Sequence, residues 1–217
     1  MMHQEDMDRT LLSARKAYRF LFEYQTRIKD LAHFISTKYD FKEYFGGYPK
    51  FSNASPGETK GSLKNWAWDW LNMYCYEFHF NKKLNENEEL KFAIFHFADT
   101  GYFDSVDIPT KKDARKLKTN TFSNVKNSRS LLIFVAGKNY WVKDCHEWNN
   151  TWSFKDFIDK SFGIQTNEKG GVLVFKQYDL AKFYDESSTL FCMKDFENLC
   201  EQNSIPIKIQ DSFIKKN

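Results

Sequence analysis

The chain has little of what small secreted or membrane-embedded proteins depend on. Its four cysteines, Cys75, Cys145, Cys192 and Cys200, are scattered, with no Cys-x-x-Cys pair and no cysteine-rich framework. Such spacing argues against a disulfide-stapled scaffold and fits reduced thiols in a cytosolic protein. Nowhere do roughly 18 uncharged apolar residues follow one another, the length a spanning helix needs. The first residues, Met1-Met2-His3-Gln4-Glu5-Asp6, are polar and acidic, so no secretion signal is expected and the cytoplasm is the expected compartment. Neither an internal repeat nor a convincing interdomain linker is present, and a single α+β domain over residues 1–217 is the expected organisation. Glycine and proline are scarce, with most of the turn chemistry in Gly46-Gly47-Tyr48-Pro49 and Ser52-Asn53-Ala54-Ser55-Pro56-Gly57. Residues 46–62 should therefore be loop, with at most a short strand over Tyr48 to Phe51.

Aromatic residues, by contrast, are abundant: 22 Phe, 11 Tyr and 6 Trp. Each ring buries about 150–250 Å² of surface, so few are needed to hold a core in a chain long enough to bury roughly 70% of its extended area. Trp66, Trp68, Trp70, Tyr74, Tyr76, Phe78 and Phe80 recur at nearly every second position, the period of a strand that puts its rings on one face. Leu90 to Tyr102 reads as its antiparallel hairpin partner across the polar connection Asn81 to Glu88. The apolar run Leu131 to Ala136 predicts a central strand buried on both faces, and Val172 to Tyr178 a further strand after Gly170-Gly171.

Helices are marked by a different period. Ala14, Tyr18, Leu21, Gln25, Ile28, Ala32, Ile35 and Tyr39 alternate steps of four and three, which predicts one long amphipathic helix over residues 9–38. Its narrow stripe resembles a coiled-coil seam, suited either to docking along the sheet or to self-association as a homodimer. Capping-box patterns at Thr110 to Asp113 and Ser153 to Asp156 open two shorter helices, to Lys118 and to about Phe162. A last helix is expected from Thr189 to Asn203, with Phe191, Phe196, Leu199 and Cys200 facing inward, followed by the alternating tail Ile205, Ile207, Ile209. Together these elements predict a mainly antiparallel sheet with the long N-terminal helix and shorter C-terminal helices packed on it.

Charge is unevenly distributed. Between Lys111 and Lys143 stand Lys111, Lys112, Arg115, Lys116, Lys118, Lys126, Arg129, Lys138 and Lys143 against Asp113 alone, a local net charge of +8 in a chain whose total is only +3. A field of that sign draws polyanions, and neutralisation of phosphates by Lys and Arg supplies most non-specific nucleic-acid affinity. Solvation of a lysine-rich surface explains the same run without a partner. The expected function is a non-catalytic binding protein whose residues Lys111, Lys112, Arg115, Lys116, Lys118, Lys126 and Arg129 engage nucleic acid or an acidic protein, with no cofactor and no membrane.

Catalytic patterns are short. A metal-dependent nuclease of restriction-endonuclease type holds a divalent cation on carboxylates from neighbouring strands, with a Lys two residues beyond the second. Asp69 followed by Glu89-Leu90-Lys91 offers that order, although Glu-x-Lys triplets also arise by chance. Glu77 and His79 share a strand face, and His96 falls on the neighbouring strand, which admits a metal or acid–base site. Asp99-Thr100-Gly101 matches the aspartic-protease triplet in a single copy, equally explained by a turn after a strand. Cys145-His146-Glu147 and the loop residues Asp104 and Asp107 lack the spacing of a nucleophile pair or a calcium loop. A structural or partner-inhibiting role for the long helix is the third functional reading.

Overall fold

A computed structural model describes residues 4–50, 75–102, 122–140 and 151–210, with backbone alone for Glu43, residues 45–50 and Tyr102. The chain divides into two compact units, Met1–Ile35 and Ser36–Asn217. The first is almost entirely α1, the 35-residue helix Gln4–Lys38. It starts five residues before the expected Arg9, because Glu5 and Asp6 favour the positive end of the helix dipole and Asp6 ion-pairs with Arg9 at 2.7 Å.

The helix ends inside the second unit without glycine or proline. Asp40 takes the left-handed conformation (φ 57°), and the backbone N–H groups of Asp40 and Phe41 donate back to the carbonyls of Thr37 and Ser36 at 3.0 and 2.9 Å. This is the hydrogen-bond pattern in which glycine is the usual residue.

Six antiparallel strands follow: β1 (Glu43–Lys50), β2 (Cys75–Lys83), β3 (Glu89–Phe97), β4 (Leu131–Lys138), β5 (Phe162–Thr166) and β6 (Val172–Asp179), in the order β1-β2-β3-β4-β6-β5. Helices α2 (Phe154–Asp159) and α3 (Glu186–Gln202) lie on opposite faces of the sheet. The α3 face is a network of rings: Phe92 meets Tyr39, Phe41, Phe134 and Phe196 at centroid distances of 5.4, 5.4, 5.8 and 6.2 Å. On the α2 face Phe157 stands edge-on to Phe95 at 5.3 Å and to Phe175 at 4.7 Å, with Trp152 4.7 Å from Phe175. The protein is an α+β fold with an aromatic-rich core, and β4, buried along seven of its eight residues, is the two-sided strand expected from its apolar run.

Several boundaries differ from expectation. Trp66 to Tyr74 and the helix expected at residues 110–118 lie outside the described residues; from Cys75 onward the aromatic strand is present and pairs with β3 as a hairpin. The hairpin's second strand stops at Phe97 rather than Tyr102. There Asp99 Oδ1 accepts the backbone N–H of Gly101 at 2.7 Å and a short 3₁₀ turn begins, so the Asp-Thr-Gly triplet serves a turn. α2 ends at Asp159 because Phe162 opens β5, a five-residue edge strand too short to announce itself. Phe191 does not face inward: it is 76% exposed, since the buried line of α3 runs through Thr189, Cys192, Met193, Phe196 and Cys200. The tail through Ile209 is held by Glu197, whose Oε2 accepts the backbone N–H of Ile209 at 3.0 Å.

Candidate functional site

Antiparallel pairing places directly opposed residues on one face, so the register decides which polar groups meet. Glu77 opposes Phe95, His79 opposes Ala93, Asn81 opposes Lys91 and Lys83 opposes Glu89. All of these lie on the α2 face. Glu77 and His79 are buried there, with His79 Nε2 2.7 Å from Glu77 Oε2 and the imidazole 5.9 Å from the ring of Phe95. The sequence pattern placed these two side chains on one face, and the structure joins them in a buried carboxylate–imidazole pair.

His96 does not join them. It opposes Tyr76 and Leu132, and therefore belongs to the α3 face. The three-residue site that Glu77, His79 and His96 would admit does not form, because the strand period sends odd and even positions to opposite sides. Burial holds the His96 imidazole neutral, its pKa lowered to about 4. Cys75 shares the face of Glu77 and His79 but lies next to the carboxylate, with the imidazole one position further on. The order is wrong for a thiol activated by histidine.

Glu89 and Lys91 share the α2 face, with Lys91 Nζ 3.6 Å from Glu89 Oε2. Asp69, the third member of the nuclease pattern, lies outside the described residues. Glu77 cannot replace it, since its register position is six residues along the ladder from that of Glu89, roughly 20 Å at the usual strand rise. Among the described residues no group of three His, Cys, Asp or Glu side chains converges as a metal site.

Near Glu89 the sheet opens into a cleft of about 440 Å³ lined by Asp40, Lys42, Asn81, Lys82, Lys83 and Glu89. Lys82 Nζ donates to Asp40 Oδ2 at 2.7 Å, a bond that lowers the Asp40 carboxyl below its ordinary value, and Lys42 Nζ is 3.8 Å from the other Asp40 oxygen. Asn81 Oδ1 is shielded from solvent and accepts no hydrogen bond among the described residues. Sequence reasoning missed this cleft. Its one local signal is the aspartate where a glycine would end α1 without backbone strain.

The basic segment separates into two kinds of cation. Arg129 Nη2 donates to the Ile158 carbonyl at 2.7 Å and Nη1 to Gln177 Oε1 at 3.4 Å, while its backbone N–H donates to Thr100 Oγ1 at 2.9 Å. Lys138 Nζ lies 2.6 Å from Glu88 Oε1 and lowers that carboxyl. Both are engaged within the fold, although the Arg129 side chain is still 45% exposed. Lys126 is exposed in a turn fixed by Asn124, whose side-chain Oδ1 accepts the Lys126 N–H at 3.0 Å, beside Val125 at 81% exposure. Lys111, Lys112, Arg115, Lys116, Lys118 and Lys143 lie outside the described residues, as do Cys145, His146, Glu147, Asp104 and Asp107.

These features define an α+β protein whose antiparallel sheet carries a buried carboxylate–imidazole pair, with a mixed-charge cleft near the β2–β3 connection. Among the described residues no helix is long and apolar enough to cross a membrane. The chain belongs to the PM0109 family, which it matches over residues 4–206. No curated protein matches the chain, and no solved structure does.

Proposed function

We propose that the protein is a non-catalytic binding protein that engages nucleic acid through its basic segment, residues 111–143. The observation that carries this is the charge asymmetry, nine cations against one carboxylate in a chain of net +3. Arg129 and Lys138 are engaged within the fold. The binding load therefore falls on Lys111, Lys112, Arg115, Lys116 and Lys118 together with the exposed Lys126. Attraction of this kind needs no metal and weakens steeply with salt, because each phosphate neutralised releases condensed counterions.

The test is affinity for duplex DNA without added metal across a salt series. The slope of log K against log salt is about −0.9 per phosphate contact, so Lys112→Ala combined with Arg115→Ala should flatten it by roughly two units. Absence of binding even at low salt rejects nucleic acid and leaves an acidic protein as the partner class.

A second reading, the metal-dependent nuclease, is favoured by one observation: Glu89 and Lys91 stand on the same strand face, with Glu89 lining the cleft. It requires Asp69 to bring a second carboxylate to a divalent cation held by Glu89. Cleavage that needs Mg²⁺ and is lost in both Glu89→Gln and Lys91→Ala would support it; binding without any cleavage would leave the non-catalytic reading in place.

A further inference from the structure

The apolar seam of α1 continues toward its N-terminus beyond Ala14. Met7 and Leu11 extend the same alternation of four and three, giving Met7, Leu11, Ala14, Tyr18 and Leu21 as successive core positions of a coiled coil. These first turns are open: Met7 is 45% exposed, Leu11 46% and Tyr18 67%. An exposed seam of period 3.5 has another helix as its natural mate, and the charges flanking this one select both the partner and its direction.

We propose that residues 4–21 of α1 pair antiparallel with the same residues of a second copy of the chain. Two exposed charges flank the seam, Asp8 just after Met7 and Arg15 just after Ala14. Within one helix they are seven residues apart, beyond the reach of an i,i+4 pair. In an antiparallel pair, the positions that follow Met7 and Ala14 face their own kind across the interface. Asp8 of each copy then meets Arg15 of the other, and the two-fold axis makes this happen twice. A parallel pair would set Arg15 against Thr10 and gain no ion pair.

The core layers agree. Antiparallel alignment stacks Leu11 on Ala14 and Tyr18 on Met7, large against small or flexible, whereas parallel alignment stacks Ala14 on Ala14 and Tyr18 on Tyr18. A contact of about five helical turns is smaller than the roughly 1,600 Å² of a standard stable interface, so the association should be weak and concentration-dependent. It is also independent of the basic segment.

Sedimentation of the full chain over a rising concentration series tests this. The mass should move from one chain toward two, and Leu11→Glu with Tyr18→Glu should abolish the shift while leaving the circular dichroism of the dilute protein unchanged. Arg15→Asp turns two attractions into two repulsions and should weaken association roughly tenfold at the strength of exposed pairs. Adding Asp8→Arg restores the complementarity and should restore association. A single-chain mass at every concentration overturns the proposal. So does an Arg15→Asp variant that associates like the parent, or a double reversal that fails to recover.

Discussion

Burial decides how His96 behaves. The side chain is fully enclosed, and its imidazole stays neutral down to about pH 4 rather than taking up a proton near 6.5. Between those two values the unfolded chain binds the proton and the folded chain does not, so stability falls as pH drops through this window and is unaffected by His96 above it. The difference amounts to roughly 3 kcal/mol at the acid end. His96→Gln removes the titration at similar size. In urea unfolding at successive pH values, the variant should lose that much less stability than the parent between neutral pH and pH 4; parallel profiles would mean that His96 is protonated in both states alike. The same residue shows how a site can be misread from sequence. Glu77, His79 and His96 were legible as strand residues, and the Glu77–His79 pair followed from their spacing of two. Which face His96 takes depends on the β2–β3 register, and register is fixed by the turn at Leu84 to Glu88, where Leu84 N–H donates to the Glu88 carbonyl at 2.9 Å.

At the scale of elements, local signals worked where side chain and backbone are close in sequence. The Ser153 capping box is present as read: Ser153 Oγ accepts the Asp156 N–H at 3.2 Å and Asp156 Oδ2 accepts the Ser153 N–H at 2.8 Å. Asp156 also takes hydrogen bonds from Lys160 and from the Ser153 hydroxyl, which lower its carboxyl to about pKa 2. Ser153→Ala should destabilise the protein by about 1 kcal/mol, the usual effect of losing an N-cap. It should also raise the Asp156 pKa, readable by carboxyl NMR titration; an unmoved pKa would assign the shift to Lys160 and to the Ser153 backbone N–H, which the variant keeps. What the sequence could not convey is how such a short helix ends. The Ile158 and Lys160 carbonyls are satisfied by Gln177 Nε2, at 3.1 and 2.8 Å, and by Arg129, from β6 and from the residues just before β4. These partners are long-range, and no local pattern announces them. β5 was missed for the same reason: its strand character rests on pairing with β6, with Gly163 opposite Phe175 leaving room that a Cβ would close to 2.4 Å.

For the molecule as a whole, charge read along the chain and charge presented to a partner are different quantities. The sequence sums every Lys and Arg in residues 111–143 alike, whereas the fold uses Arg129 as a cap for α2 and Lys138 as the mate of Glu88 and leaves Lys126 in solvent. Two substitutions of equal formal charge should therefore act on different properties. Arg129→Ala removes charged hydrogen bonds to Ile158 and Gln177 and should destabilise the fold by about 1.5–3 kcal/mol. If the basic segment binds nucleic acid, the same variant should leave the salt slope unchanged once measured where it is fully folded. Lys126→Ala removes no described contact of its side chain and should leave the denaturation midpoint where it was, while flattening the slope by about one unit. Paired denaturant and salt titrations on the two variants decide the matter. A flattened slope for Arg129→Ala would return that residue to the binding surface, and an unchanged slope for Lys126→Ala would confine nucleic-acid contact to Lys111, Lys112, Arg115, Lys116 and Lys118.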